Sequence, residues 1–241
     1  MGKELQEGKI EFSGNNYAVA NSTVLEYENT IDKLLYNRFN LKKQLDGYFA
    51  NIQKKPIEKT IFFLITSNND IMRLYNKPTV LDDLSVVSKE LANQVNRLVN
   101  YGAKKVIVIG PADISSTPNY HYSLDAKKIR EAVVYLQELL AIRMTVFDPK
   151  QVQFIEIVKE MHSIAESHYS EDKRNLACLS NVANGYVNIK NLLFRGELSS
   201  RYINGCNLES LDNGDFFYFD YFHPTDKVNR LMSEYIINKI Y

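Results

Sequence analysis

Ile61-Phe62-Phe63-Leu64-Ile65-Thr66, followed at once by Ser67-Asn68-Asn69-Asp70, is the stretch on which the fold turns. A short, unbroken apolar run bounded by turn residues fits a strand buried on both faces of a parallel sheet, because crossover helices cover such a sheet above and below. Lys105 to Gly110 (KVIVIG) repeats the pattern, and Met144 to Asp148 (MTVFD) offers a third run. Between the first two, Leu84, Val87, Leu91, Val95, Leu98 and Val99 recur at helical spacing across Leu81 to Tyr101, with Gly102 as a C-terminal stop. Leu124 to Ala141 has the same character through Ile129, Val133, Leu136, Leu139 and Leu140, and it joins the second run to the third. Strand and helix therefore alternate, which predicts an α/β fold with a parallel sheet and helices on both faces.

The chain has 241 residues, enough for one sizeable domain, and 162–215 reads as a lid or substrate-binding excursion within it because it mixes Asn, Gly and Ser with short apolar runs. Lysine plus arginine and aspartate plus glutamate number 29 each, so no net field steers the chain toward nucleic acid or an anionic membrane surface. Lys3, Glu4, Glu7, Lys9 and Glu11 exclude a signal peptide within Met1 to Phe12; export is expected only if the chain is a fragment of a longer precursor. No stretch is apolar for long enough to span a bilayer. Cys178 and Cys206 form one bridge or none, and two cysteines at that spacing do not suggest zinc.

Asp220-Tyr221-Phe222-His223 places a carboxylate three residues ahead of an imidazole. The aspartate can then accept from one ring nitrogen and leave the other for a substrate, which is the base-plus-orienter half of a catalytic triad; a solvated or capping pair uses the same spacing. Phe216-Phe217-Tyr218-Phe219 precedes it as a core-facing delivery segment. His223-Pro224-Thr225 leads into Val228, Leu231, Met232, Tyr235 and Ile236 at helical spacing, with Thr225 placed to cap. Ser67 to Asp70 follows a strand, where α/β sheets carry ligand-contacting loops, so Asn69 can aim an amide at a developing oxyanion or simply close an Asx turn. Asn16 to Thr23 (NYAVANST) reads as a strand followed by a turn. His121, His162 and His168 have no partner at triad or metal spacing and read as surface or structural residues. A phosphate-cradling glycine loop is absent, which disfavours a nucleotide-binding domain.

Taken in order, these segments resemble the SGNH (GDSL-type) ester hydrolases, whose blocks are a Gly-Asp-Ser nucleophile, a glycine block, Gly-x-Asn-Asp and a terminal Asp-x-x-His. Asn16 to Ser22 is similar to the second block, with Ala20 and Asn21 in place of two glycines. Ser67-Asn68-Asn69-Asp70 is similar to the third with Ser67 in place of glycine, and Asp220 and His223 match the last. Lys104 to Ser116 also resembles the family's next strand and its proline-containing loop. The resemblance implies a flavodoxin-like three-layer α/β fold, His223 as base, Asp220 as its orienter, and an oxyanion hole of Asn69 and the Asn21 N–H. Asparagine tolerates a left-handed backbone well enough to preserve that turn. It further implies hydrolysis of a carboxylic ester, of lipase, esterase, lysophospholipase or thermolabile-haemolysin type, with an acetylated sugar as second choice and neither metal nor cofactor.

One block departs from the pattern. No Gly-Asp-Ser and no Gly-x-Ser-x-Gly occurs, and neither Ser13 nor Ser22 lies in a strand-to-turn context like that of a nucleophile. The 15 residues before Asn16 leave no room for the family's first strand and helix, so that strand is expected to be missing and its neighbours to carry unpaired backbone groups. Three explanations are open: an N-terminally incomplete chain, a first block supplied by a second polypeptide, and a non-catalytic relative that binds or scaffolds.

Overall fold

The computed structural model describes residues 3–4, 10–11, 16–27, 40–50, 56–180 and 201–241. The chain forms two compact units, one of Met1–Pro111 with Ala132–Glu156 and the other of Ala112–Glu131 with Ile157–Tyr241.

The first unit is built on a parallel sheet of β1 (Ile61–Ile65), β2 (Lys105–Ile109) and β3 (Val152–Ile155), with β2 in the middle. Phe63 pairs with Ile107 and Ile107 with Gln153, so the strands run in step. Val106, Ile107, Val108 and Ile109 of β2 are all at most 2% exposed, as a central strand covered on both faces must be. Helix α1 (Leu41–Phe49) is capped by the Asn40 side chain, which accepts from the Lys43 N–H. Helix α2 (Asn68–Leu74) follows β1, and α3 (Val80–Asn100) follows α2. Leu84, Val87, Leu91, Val95 and Leu98 of α3 are at most 1% exposed, each burial contributing about 1.5–3 kcal/mol. Helix α4 (Ala126–Met144) buries Val133, Leu136 and Leu140, and its Arg143 donates to Ser88 Oγ of α3 at 2.6 Å.

Two expectations are corrected by this arrangement. Met144 to Asp148 is no strand: α4 runs on through Met144, Val146 is 78% exposed, and the third strand starts at Val152. The run is too short to leave the helix and still reach the sheet, whereas Val152 to Ile155 pairs in register with β2. Tyr17 to Val19 is not a strand and leads directly into a turn closed by Ser22 N–H to Val19 O, 3.2 Å.

Among the described residues, nothing pairs with the outer edge of β1. Phe62 and Leu64 are buried on one face, while Ile61, Phe63 and Ile65 are exposed on the other, so the expectation of burial on both faces holds for β2 and is corrected for β1. Beside the strand lies a groove of about 590 Å³ lined by the whole of β1, by Tyr17 to Val19 and by Leu41, Leu45 and Tyr48. The Tyr48 ring meets both Tyr17 and Phe62 edge-on, with centroids 5.5 and 5.1 Å away.

In the second unit, α5 (Val158–His168) packs against α6 (Asp226–Ile240), burying Met161, Ile164, Val228 and Met232. Leu179–Ser180 pairs antiparallel with Arg201–Tyr202, and Ala177 bridges Tyr218 in parallel. Cys178 and Cys206 form a disulfide, with Cα atoms 5.2 Å apart, inside a buried cluster that includes Leu179 and Phe216. The region 162–215 opens in the middle of α5, and residues 181–200 of it lie outside the described residues. Thr225 precedes α6 as expected, but its hydroxyl donates to Phe216 O at 2.9 Å rather than capping. That carbonyl is buried and would otherwise lack this partner.

Candidate active site

Asp220 and His223 are brought together on one turn of the second unit. The Asp220 side chain is 1% exposed and that of His223 is 61% exposed. Asp220 Oδ1 accepts from the N–H groups of Phe222 and His223 at 2.8 and 2.7 Å, and Oδ2 lies 2.8 Å from His223 Nδ1. A carboxylate only accepts, so Nδ1 carries the proton and Nε2 is the basic nitrogen. The hydrogen bond to Asp220 holds the imidazole above its ordinary pKa, with the Asp220 charge adding to it and partial burial opposing it.

Backbone contacts fix that turn from several sides. Phe219 N–H donates to His223 O at 2.8 Å, Thr225 N–H to Phe217 O at 2.9 Å, and Asn119 N–H to Tyr221 O at 3.1 Å. Phe216, Phe217 and Tyr218 are at most 2% exposed, so the aromatic run anchors the turn in the core. The Tyr218 hydroxyl lies 3.1 Å from Ser116 Oγ.

In the first unit, Asn69 is bonded to the turn that carries Asn21. Ser67 ends β1 with φ +85°, a left-handed backbone that suits glycine and accounts for the family's glycine there. The change of direction puts Asn69 in the first turn of α2, where its Nδ2 donates to Ser22 O at 2.8 Å. Asn21 adopts φ +59°, the left-handed turn that asparagine tolerates. Asp70 is fully buried and accepts from Val24 N–H at 2.9 Å, Leu25 N–H at 3.2 Å and the Tyr27 hydroxyl at 2.9 Å. Burial pushes its carboxyl up to about 6 against the pull of those three donors. Asp70 and Asn69 together tie the 21–27 segment to the start of α2.

A further pair escaped the sequence. His162 Nε2 lies 2.9 Å from Asp113 Oδ2, 49 residues away in the chain. Asp113 is 2% exposed; it also accepts from the hydroxyl and the N–H of Ser115, and Arg130 lies 3.6 Å off. Burial alone would raise this carboxyl, but the hydrogen bonds from His162 and Ser115 and the Arg130 charge outweigh it and hold the group low. The position of Asp113 four residues beyond the end of β2 was the available signal. His162 thus has an acidic partner, and among the described residues no three His, Cys, Asp or Glu side chains gather as a metal site. No helix among them is long and apolar enough to cross a membrane.

A parallel α/β sheet with a terminal Asp-His turn and an asparagine at the start of the helix after β1 defines a class, the SGNH hydrolases. The family description GDSL-like Lipase/Acylhydrolase matches residues 4–236, and the chain belongs to that family. Its fold is the SGNH three-layer α/β fold, and its class of chemistry is hydrolysis of ester and acyl bonds. No curated protein matches the chain.

Proposed function

We propose that this chain contributes the base, its orienter and the oxyanion donors of a carboxylic ester hydrolase of lipase, esterase or lysophospholipase type. The observation that carries the reading is the Asp220–His223 pair: a buried carboxylate with three N–H donors on it, and an exposed ring whose tautomer it sets. In this reading a serine oxygen attacks the ester carbonyl while His223 Nε2 takes its proton. The Asn69 amide, which spends one hydrogen on Ser22 O and has a second, and the Asn21 N–H stabilise the oxyanion. His223 then protonates the departing alkoxide, and water, activated by the same nitrogen, releases the acyl group without metal or cofactor. The nucleophile comes from a serine-bearing extended segment, either elsewhere in the same polypeptide or in a second one. The outer edge of β1, which pairs with nothing among the described residues, and the groove beside it support that source, because a strand laid there gains backbone partners.

The absence of Gly-Asp-Ser favours a second reading, a catalytically inactive relative that binds or scaffolds. Hydrolysis of short- and medium-chain p-nitrophenyl esters by the parent, His223→Ala and Asn69→Ala separates the two. With the serine-bearing segment supplied, the hydrolase reading expects parent turnover that falls about 10²–10⁴-fold in His223→Ala and about 10²–10³-fold in Asn69→Ala. Turnover indifferent to both substitutions, or none in the parent with the serine-bearing segment supplied, supports the binding protein.

A further inference from the structure

The turn that carries Asp220 and His223 is not braced by its own contacts alone. The two residues ahead of Asp220 lie beside the segment 177–179: Cys178 N–H donates to Tyr218 O at 3.1 Å, and Leu179 N–H donates to Phe219 O at 2.9 Å. These two bonds fix the carbonyls of the last residues before the catalytic carboxylate. Phe219 is engaged on both sides, since its own N–H donates to His223 O at 2.8 Å and so closes the turn. A displacement of 177–179 therefore reaches Asp220 through Phe219 within one residue.

What holds 177–179 in place is a second layer. Ile203 N–H donates to Cys178 O at 2.9 Å, Asn204 Nδ2 donates to Ala177 O at 2.8 Å, and the Cys178–Cys206 disulfide joins the two segments covalently. Among the described residues, Leu179–Ser180 pairs with Arg201–Tyr202. The covalent link constrains this layer independently of its hydrogen bonds. Cys178 is fully buried and Cys206 nearly so, both against Phe216 at the base of the aromatic run. Phe216 O in turn accepts from Thr225 two residues beyond His223.

We propose that the Cys178–Cys206 disulfide is a positioning element for the Asp220–His223 pair, acting through the Ala177–Leu179 segment, so that the pair keeps its geometry only while the bridge is oxidised. The functional weight of this inference rests on the reading of His223 as the base; the structural inference does not. It makes the pair thiol-sensitive although neither cysteine touches it.

The test follows the His223 ring directly. The protein is reduced with a phosphine, which opens the bridge to two thiols and is itself oxidised to the phosphine oxide. The imidazole Cε1–H resonances are then titrated by NMR in the oxidised protein, the reduced protein, a Cys178→Ser/Cys206→Ser double variant and Asp220→Asn. Asp220 is the charged group that sets the His223 titration, so Asp220→Asn marks where the pKa falls once the contact is lost. The expected result is that reduction and the double variant each move the His223 pKa down toward the Asp220→Asn position, while the His162 resonances and the amide dispersion of the unit are retained. An unchanged His223 titration after thiol counting confirms full reduction overturns the proposal. Loss of dispersion together with a shift at both His223 and His162 also overturns it, since the bridge would then hold the whole unit and not the turn. None of these readings uses ester turnover, so they stand or fall apart from the hydrolase assignment.

Discussion

Replacing Asp70 with asparagine should change how stability depends on pH in a way that only a buried carboxyl can. An unfolded aspartate loses its proton near 3.8, whereas burial keeps the folded group protonated up to about 6. Between those values the native state binds more protons than the unfolded chain, so stability falls as pH rises. The contribution is fully present below the unfolded pKa and is lost as pH passes through the folded one. About two units at 1.36 kcal/mol each give about 3 kcal/mol across the window. The asparagine in the variant does not titrate, and it keeps one oxygen acceptor for the Val24, Leu25 and Tyr27 donors. Urea unfolding of both proteins from about pH 3.5 to about pH 7.5 should therefore reveal a stability gap that moves against the parent by about 3 kcal/mol as pH rises. With a urea slope of about 3 kcal/mol per molar for a chain of this size, the midpoints shift relative to each other by about 1 M. A gap that is constant with pH refutes the reasoning. A gap that moves the other way means the three donors outweigh desolvation and depress the carboxyl instead.

Two backbone substitutions should act in opposite directions. Ser67→Gly relieves a left-handed serine at φ +85°, worth about 1–2 kcal/mol, against about 0.5–1 kcal/mol of extra chain entropy, so a gain of about 0.5–1 kcal/mol and a rise of about 1–4 °C in thermal melting is expected. A lower melting temperature would mean that the Ser67 hydroxyl bond to Thr66 O matters more than the strain. Gly214→Ala places a Cβ at φ +66° only 2.8 Å from Lys227 Cβ, where no rotation of the lysine side chain makes room. It should cost about 1–2 kcal/mol or more and lower the melting temperature by at least about 2–4 °C, and a neutral outcome would show that the start of α6 yields easily.

The parallel strands β1 and β2 and the helix α3 were legible because each satisfies one period without competition: an unbroken apolar run, or Leu84 to Leu98 at helical spacing. Met144 to Asp148 misled because Met144 closes the buried stripe of α4 through Leu136 and Leu140, and the two apolar residues after it belong to a turn. The Asp220–His223 contact was readable through its place in the ordered blocks, since the three-residue spacing by itself also suits a solvated or capping pair. The left-handed backbone at Asn21 was readable for a similar reason: its residue type stands where the family has glycine. Asp113 with His162 was not, because 49 residues that include α4 and β3 separate them and local spacing carries no trace of the meeting. The bridge between Cys178 and Cys206 was open for the same reason. The anchoring role of Asp70 was hidden by its short distance from Asn69, which drew attention to the amide rather than to the carboxylate beside it.

The hydrogen bond from Asn69 Nδ2 to Ser22 O gives one side chain two employments. The same amide that would face a reacting oxygen also staples the turn at Asn21 to the helix after β1. In the proposed reading catalysis and architecture share a single residue, and a mutational scan would register it twice: as slower chemistry, and as a softer backbone at the neighbouring Asn21 turn. On that reading, the rate lost on truncating Asn69 should exceed the strength of one hydrogen bond to an oxyanion. A glutamine there, with the right chemistry at the wrong reach, should resemble alanine more than asparagine. An evolving sequence has few ways to change such a position in single steps, and that narrows the paths open to the start of α2.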